Sequence, residues 1–223
     1  MKKRKRKCVW CGKRNVPYKG MVCNDCIRDL CGMDNIEIVT CNVASFGRDK
    51  TIIIYWNGWR AEEIYIITRG DLIQVKKQIE ELRHRYGIAK NNVLIDADGL
   101  GAGLADFGGY KGFMNNAKAI FSGTADKRDN FANIKSQCYF KLADKVREQH
   151  IYIEKYNLKQ LTVSHIIEEL EQVKRDRADD DGKVRIQSKK DFITALGRSP
   201  DFADAIAMRA FFELQEGFSG YLI

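Results

Sequence analysis

Residues 36–68 read IEIVTCNVASFGRDKTIIIYWNGWRAEEIYIIT, and this stretch decides the fold. Ile36 to Asn42 alternates enough to form a strand, residues 47–50 (GRDK) read as a turn, and Thr51 to Trp56 is a short run of β-branched and aromatic residues. Asn57 and Gly58 then turn the chain into a third strand from Glu62 to Thr68, so the stretch is a meander.

Beyond the meander the apolar period changes from that of a strand to that of a helix. Asp71 suits the cap of a helix in which Leu72, Val75, Ile79, Leu82 and Tyr86 share one face, and Gly87 ends it. Asn92 to Asp96 reads as a buried strand, residues 99–103 (GLGAG) open a short helix, Ala119 to Phe121 reads as a fifth strand, and Asp129 to Gln149 as a long helix. Near the C-terminus Ser199 suits a cap and Pro200 a first helical position, ahead of a helix from Phe202 to Leu214. This is the element order of the α/β ribonuclease-H-like fold, a mixed five-stranded sheet flanked by helices. In that fold the first and fourth strands are neighbours and the last helix packs against them. The strand ends Asn42 and Asp96 should therefore meet Asp201 and Asp204, which lie three residues apart on one helix face.

Composition sets the outer bounds. With 223 residues, 44% hydrophobic, 30% charged, and two Pro against 18 Gly, the chain has the make-up of a globular protein, which excludes collagen-like, mucin-like and wholly disordered readings. No window is apolar for long enough to span a membrane, and the basic N-terminus lacks the apolar core of a signal peptide, so a cytoplasmic location is expected. The formal charge of +8 is localised: residues 1–30 carry ten Lys or Arg against two Asp, and the remainder carries 28 of each sign. That break predicts a basic tail and metal module over residues 1–33, a neutral body over 34–216, and a short tail over 217–223.

Within the basic segment, Cys8, Cys11, Cys23 and Cys26 form two C-x2-C knuckles separated by eleven residues. Four thiolates so arranged complete the tetrahedral shell of a structural zinc ion, in a segment too short to build its own core. Cys31 is an alternative fourth ligand, while Cys41 and Cys138 sit in apolar contexts and read as buried thiols. Lys2, Lys3, Arg4, Lys5, Arg6 and Lys7 read as a flexible tail suited to phosphate contact without sequence choice. Residues 176–187, with RADDDGK at their centre, read as a charged hairpin or loop, and His84, His150 and His165 show no ligand spacing.

The strings CNVASFGRDKTIII (41–54), VLIDADGLGAGLADF (93–107), NIKSQCYFKL (133–142) and GRSPDFADAIAMR (197–209) closely resemble the nuclease domain of phage terminase large subunits. The resemblance runs from about residue 36 to 214 and leaves out the cysteine module. It implies an endonuclease that cuts concatemeric double-stranded DNA during packaging. It also implies two Mg or Mn ions roughly 3.5 to 4 Å apart in a carboxylate cluster, with Asp96 and Asp204 on two ligand positions and Asp201 on an auxiliary one. Asp49 matches a recurrent position without an assigned role, and Lys50 and Lys135 are candidate phosphate contacts. No G-x4-G-K-[ST] occurs in the chain, so either the packaging ATPase is a separate polypeptide or the chain is a standalone relative; a packaging ATPase, portal or small terminase subunit is the partner the resemblance implies. A calcium-loop reading from Asp96 fails because its twelfth position is Phe107.

One position departs from the family. Asn42 stands where the resemblance calls for an Asp that bridges both ions, and an amide offers one neutral oxygen in place of two anionic ones. Engineering, natural loss of catalysis, and compensation by an acid such as Asp49 are the open explanations. Two other functions stay in play: a Holliday-junction-resolvase-like nuclease of the same fold, and a non-catalytic DNA-binding or packaging scaffold protein.

Overall fold

The structure is a computed structural model and describes residues 6–7, 15–16, 26, 36–44, 49–68, 70–120, 130–155, 157–176 and 182–215. Two short strands, β1 (Arg6–Lys7) and β2 (Asn15–Val16), pair antiparallel as a separate ribbon. The rest is built on a sheet of β3 (Glu37–Asn42), β4 (Thr51–Asn57), β5 (Arg60–Ile67), β6 (Val93–Asp96), β7 (Lys111–Phe113) and β8 (Tyr152–Ile153). The order across it is β7-β6-β3-β4-β5-β8. The meander pairs antiparallel, whereas β3 with β6, β6 with β7, and β5 with β8 run parallel.

Alternation along β3 settles which face carries the site. Ile38 points with Ile52, Ile54, Trp56 and Leu94 into one core, and Val39 and Cys41 point with Ile53, Tyr55, Val93 and Ile95 into the other. Asn42 therefore lies on the face of Ile38 and Thr40, and Asp96 on the face of Leu94. Because Thr40 pairs with Leu94 and Cys41 with Ile95, the next step of the parallel ladder sets Asn42 beside Asp96. The run Ile52, Ile53, Ile54 is fully buried, feeding both cores at once, so truncating any one of them to Ala costs about 2–5 kcal/mol.

Among the described residues, seven α-helices flank the sheet. α1 (Leu72–Tyr86) and α2 (Leu100–Gly108) cover the Val39 face, and α1 starts and stops where the sequence predicts. Asp71 accepts the Gln74 N–H at 2.7 Å, and Gly87 takes the left-handed conformation at φ 69°. The Ile38 face is covered by α3 (Ile134–Arg147), α4 (Gln160–Glu171) and α6 (Asp201–Ala207), which a 3-10 turn links to α7 (Phe211–Leu214). Between them α5 (Lys189–Leu196) is capped by Ser188.

Several expectations are corrected. The strand beside β6 is Lys111–Phe113, not Ala119–Phe121: it starts two residues after the left-handed Gly109 that ends α2. Ala119 and Ile120 form no strand; Ile120 is instead tied to the Gln137 side chain through both its N–H and its carbonyl. The sheet has six strands because β8 adds a two-residue edge to β5. The long helix begins at Ile134, where the Asn133 side chain accepts the Ser136 N–H at 2.8 Å. Arg6 and Lys7 belong to a ribbon, not to a free tail. The described flanks of the charged segment pair antiparallel, the Asp176 N–H donating to the Arg185 carbonyl and the Gln187 N–H to that of Lys174; its centre lies outside the described residues. Cys41 and Cys138 are buried as expected.

Candidate acid site at the strand ends

Three elements converge at the carboxyl ends of β3 and β6. Asp96, ending β6, is partly buried, and its carboxylate accepts the Asp98 N–H at 3.0 Å and the Asn115 amide at 3.1 and 3.3 Å. The same Asn115 amide donates to Asp98 Oδ2 at 2.7 Å, so one residue holds two carboxylates. Burial, with the nearby charges of Asp204 and Asp98, raises the Asp96 carboxyl above its ordinary range against those hydrogen bonds. Gly101 lets α2 start against this strand end: a Cβ there would lie 1.7 Å from the Asp96 carbonyl oxygen.

The acids of α6 enter from the other side. Asp201 is 8% exposed, and its Oδ2 accepts the Lys50 N–H at 2.8 Å. Burial pushes its carboxyl up to about 6, with Asp49 and Asp204 adding to the rise. Asp204 Oδ1 accepts the Tyr139 hydroxyl at 2.6 Å and pairs with Lys135 Nζ at 2.7 Å. Both of these donors come from α3, four residues apart on one face. Asn42 is 7% exposed, and its Nδ2 donates to the Asp201 carbonyl at 3.2 Å, which ties the end of β3 to the start of α6.

Asn42, Asp49, Asp96, Asp98, Asp201 and Asp204 all line one cavity of about 570 Å³, together with Asn115 and Lys135. The structure thus brings together the four expected positions 42, 96, 201 and 204. Of the two expected phosphate contacts, Lys135 is engaged with Asp204, and Lys50 contributes its backbone N–H while its Nζ stands 5.8 Å from the Phe202 ring centre. Lys2, Lys3, Arg4, Lys5, Cys8, Cys11 and Cys23 lie outside the described residues. Cys26 is buried and Lys7 is exposed.

Sequence reading missed Asn115, Tyr139 and Glu169. Tyr139 carries a signal in retrospect, since it follows Lys135 by one helical turn in the string NIKSQCYFKL. Asn115 lies in a loop after β7, and Glu169 lies on an added helix, so neither has a local pattern that marks it.

The donor set consists of carboxylates and one amide, the oxygen chemistry that suits Mg or Mn rather than zinc. The fit is therefore right in kind. It falls short in number: among the described residues, no three His, Cys, Asp or Glu side chains stand close enough to hold one ion. Asn42, which lines the same cavity, adds a neutral amide where the other three expected positions carry carboxylates.

No protein-family model and no curated protein sequence matches the chain. Solved structures do match its fold. The nuclease domain of the large terminase subunit gp2 of bacterial virus Sf6 superposes with a TM-score of 0.65 at 21% identity, covering 78% of this chain and 87% of that one. The large terminase nuclease of thermophilic phage G20c gives 0.52 at 14% identity over 80% and 82%. That of Thermus phage P74-26 gives 0.51 at 16% over 86% of each. The fold is the ribonuclease-H-like fold of terminase nuclease domains.

Proposed function

We propose that the chain is a metal-dependent DNA endonuclease of the terminase type, weakened by Asn42. The observation that carries this reading is the convergence of positions 42, 96 and 204 on one cavity at two adjacent strand ends and a helix. The Sf6 domain is described with manganese and the G20c domain with bound magnesium, which supports a divalent cation here.

Asp96 and Asp204 would hold that cation, with Asp201 beside them. When bound it supplies positive charge to a phosphodiester oxygen and lowers the pKa of a water. The chain's own groups do the rest. Asn115 fixes the Asp96 carboxylate, Tyr139 and Lys135 fix that of Asp204, and the Lys50 N–H fixes that of Asp201. Lys135 also neutralises Asp204 and stands where it can take up a phosphate charge. Double-stranded DNA is the substrate this reading implies, with packaging components such as an ATPase, portal or small terminase subunit as partners. The N-terminal cysteines are read as one structural zinc site, supported by their spacing and by the buried Cys26.

A second reading is a non-catalytic DNA-binding or scaffold protein. Its support is that the backbone N–H of Lys50 and the ammonium of Lys135 already pair with the carboxylates of Asp201 and Asp204 without any metal. Cleavage of linear and four-way DNA by the chain, with and without Asn42→Asp, separates the two and tests a junction-resolving activity in the same assay.

A further inference from the structure

We propose that Glu169 is a positioning residue of the acid site, fixing through the start of α6 where Asp201 and Asp204 stand; this rests on the nuclease reading above. α6 opens at Pro200 with no side-chain cap of its own, and Ser199, the cap expected from the sequence, does not serve. The Asp204 N–H is satisfied by the Pro200 carbonyl at 2.9 Å. The N–H groups of Phe202 and Ala203, the two residues between the acids, need another acceptor.

Glu169 Oε2 supplies it, at 2.8 Å to Phe202 N and 3.0 Å to Ala203 N. The side chain is 1% exposed and comes from α4, 33 residues earlier in the chain. Its other oxygen faces Arg198 Nε at 3.5 Å, so the carboxylate is anchored on both sides. A local Ser or Asp would cap the helix equally well as a matter of helix stability. A carboxylate from a different helix does more, because it also fixes the height and rotation of α6 against α4. On the opposite side, Thr40 Oγ1 donates to the Ala205 carbonyl at 2.9 Å and Asn42 Nδ2 to that of Asp201. The acids are thereby held between β3 and α4, and Glu169 acts on them through the N–H groups of Phe202 and Ala203.

Two readouts on the full chain test this: amide hydrogen exchange at Phe202, Ala203 and Asp204, and manganese affinity in the Asn42→Asp background. Glu169→Ala should lower protection at Phe202 and Ala203, and the manganese affinity, by about tenfold each, the scale of a lost cap. Glu169→Gln keeps an acceptor oxygen of the same reach and should rescue both to within about threefold. If the Ala variant does not fold, Glu169→Asp, one methylene too short, takes its place with the same expected losses. A folded Ala or Asp variant with unchanged protection, or with the manganese affinity of its Glu169 parent, overturns the proposal, as does a Gln variant as impaired as Ala. If the Asn42→Asp parent binds no manganese, the nuclease reading fails, and amide exchange alone then decides the role of Glu169.

Discussion

The Asn42 side-chain amide donates a hydrogen bond to the Asp201 backbone carbonyl at 3.2 Å. An aspartate at position 42 has no proton to give at neutral pH, and would set a carboxylate oxygen against that carbonyl beside Asp96, Asp201 and Asp204. In metal-free solution Asn42→Asp should lose about 1–3 kcal/mol of stability, the cost of an unsatisfied and repelled buried group. Manganese should return much of that loss in the variant and little in the chain as written. Thermal melts with and without manganese check both.

The Lys135–Asp204 pair is mostly shielded, with side-chain exposures of 19% and 12%. Lys135→Met should destabilise the chain by about 1–3 kcal/mol, because Asp204 keeps only the Tyr139 hydroxyl. Tyr139→Phe should cost about 1 kcal/mol, since Lys135 remains. Denaturant melts at neutral pH distinguish them, and equal losses would mean that the ammonium contributes no more than the hydroxyl.

Glu169 gives the site a pH dependence of stability. Burial pushes its carboxyl up to about 7 from 4.5, outweighing the N–H groups of Phe202 and Ala203 that favour its charged form. The folded state thus holds the proton more tightly than the unfolded state. The resulting stability is full below about 4.5 and is lost as pH rises through about 7. Glu169→Gln cannot titrate, so its melting temperature should fall less between pH 5.5 and 8 than that of the parent, by about 2–4 °C. Parallel slopes would remove the assignment.

The body of the fold is legible because strands of period two and a capped amphipathic helix are local patterns. Residues 36–68 and 71–87 carry them in full. Asn42 and Asp96 follow from strand ends, and Asp201 and Asp204 from helical spacing. The fifth strand was misplaced because KGF at 111–113 is three residues long and held by its neighbour β6, whereas residues 119–121 merely have the right composition. Asn115 and Glu169 were invisible for a different reason. Each acts across 17 to 34 residues of sequence through a single side chain, and no periodicity records such a contact.

For the N-terminal cysteines, elemental analysis should find about one zinc per chain, and a chelator should unfold that segment while sparing the sheet. Cys8→Ser should lose the metal. Four freely titrating thiols in protein prepared without chelator would contradict the assignment.

The most direct test of the central claim is manganese-dependent cleavage of linear duplex DNA by the chain and by Asn42→Asp. The chain as written should cut slowly or not at all. The variant should gain orders of magnitude, since each 1.36 kcal/mol of transition-state stabilisation is about tenfold in rate. Adding Asp96→Asn or Asp204→Asn to that variant should abolish the gain. A folded Asn42→Asp protein that stays inert with both manganese and magnesium would contradict the account, and so would full activity with Asn42 in place.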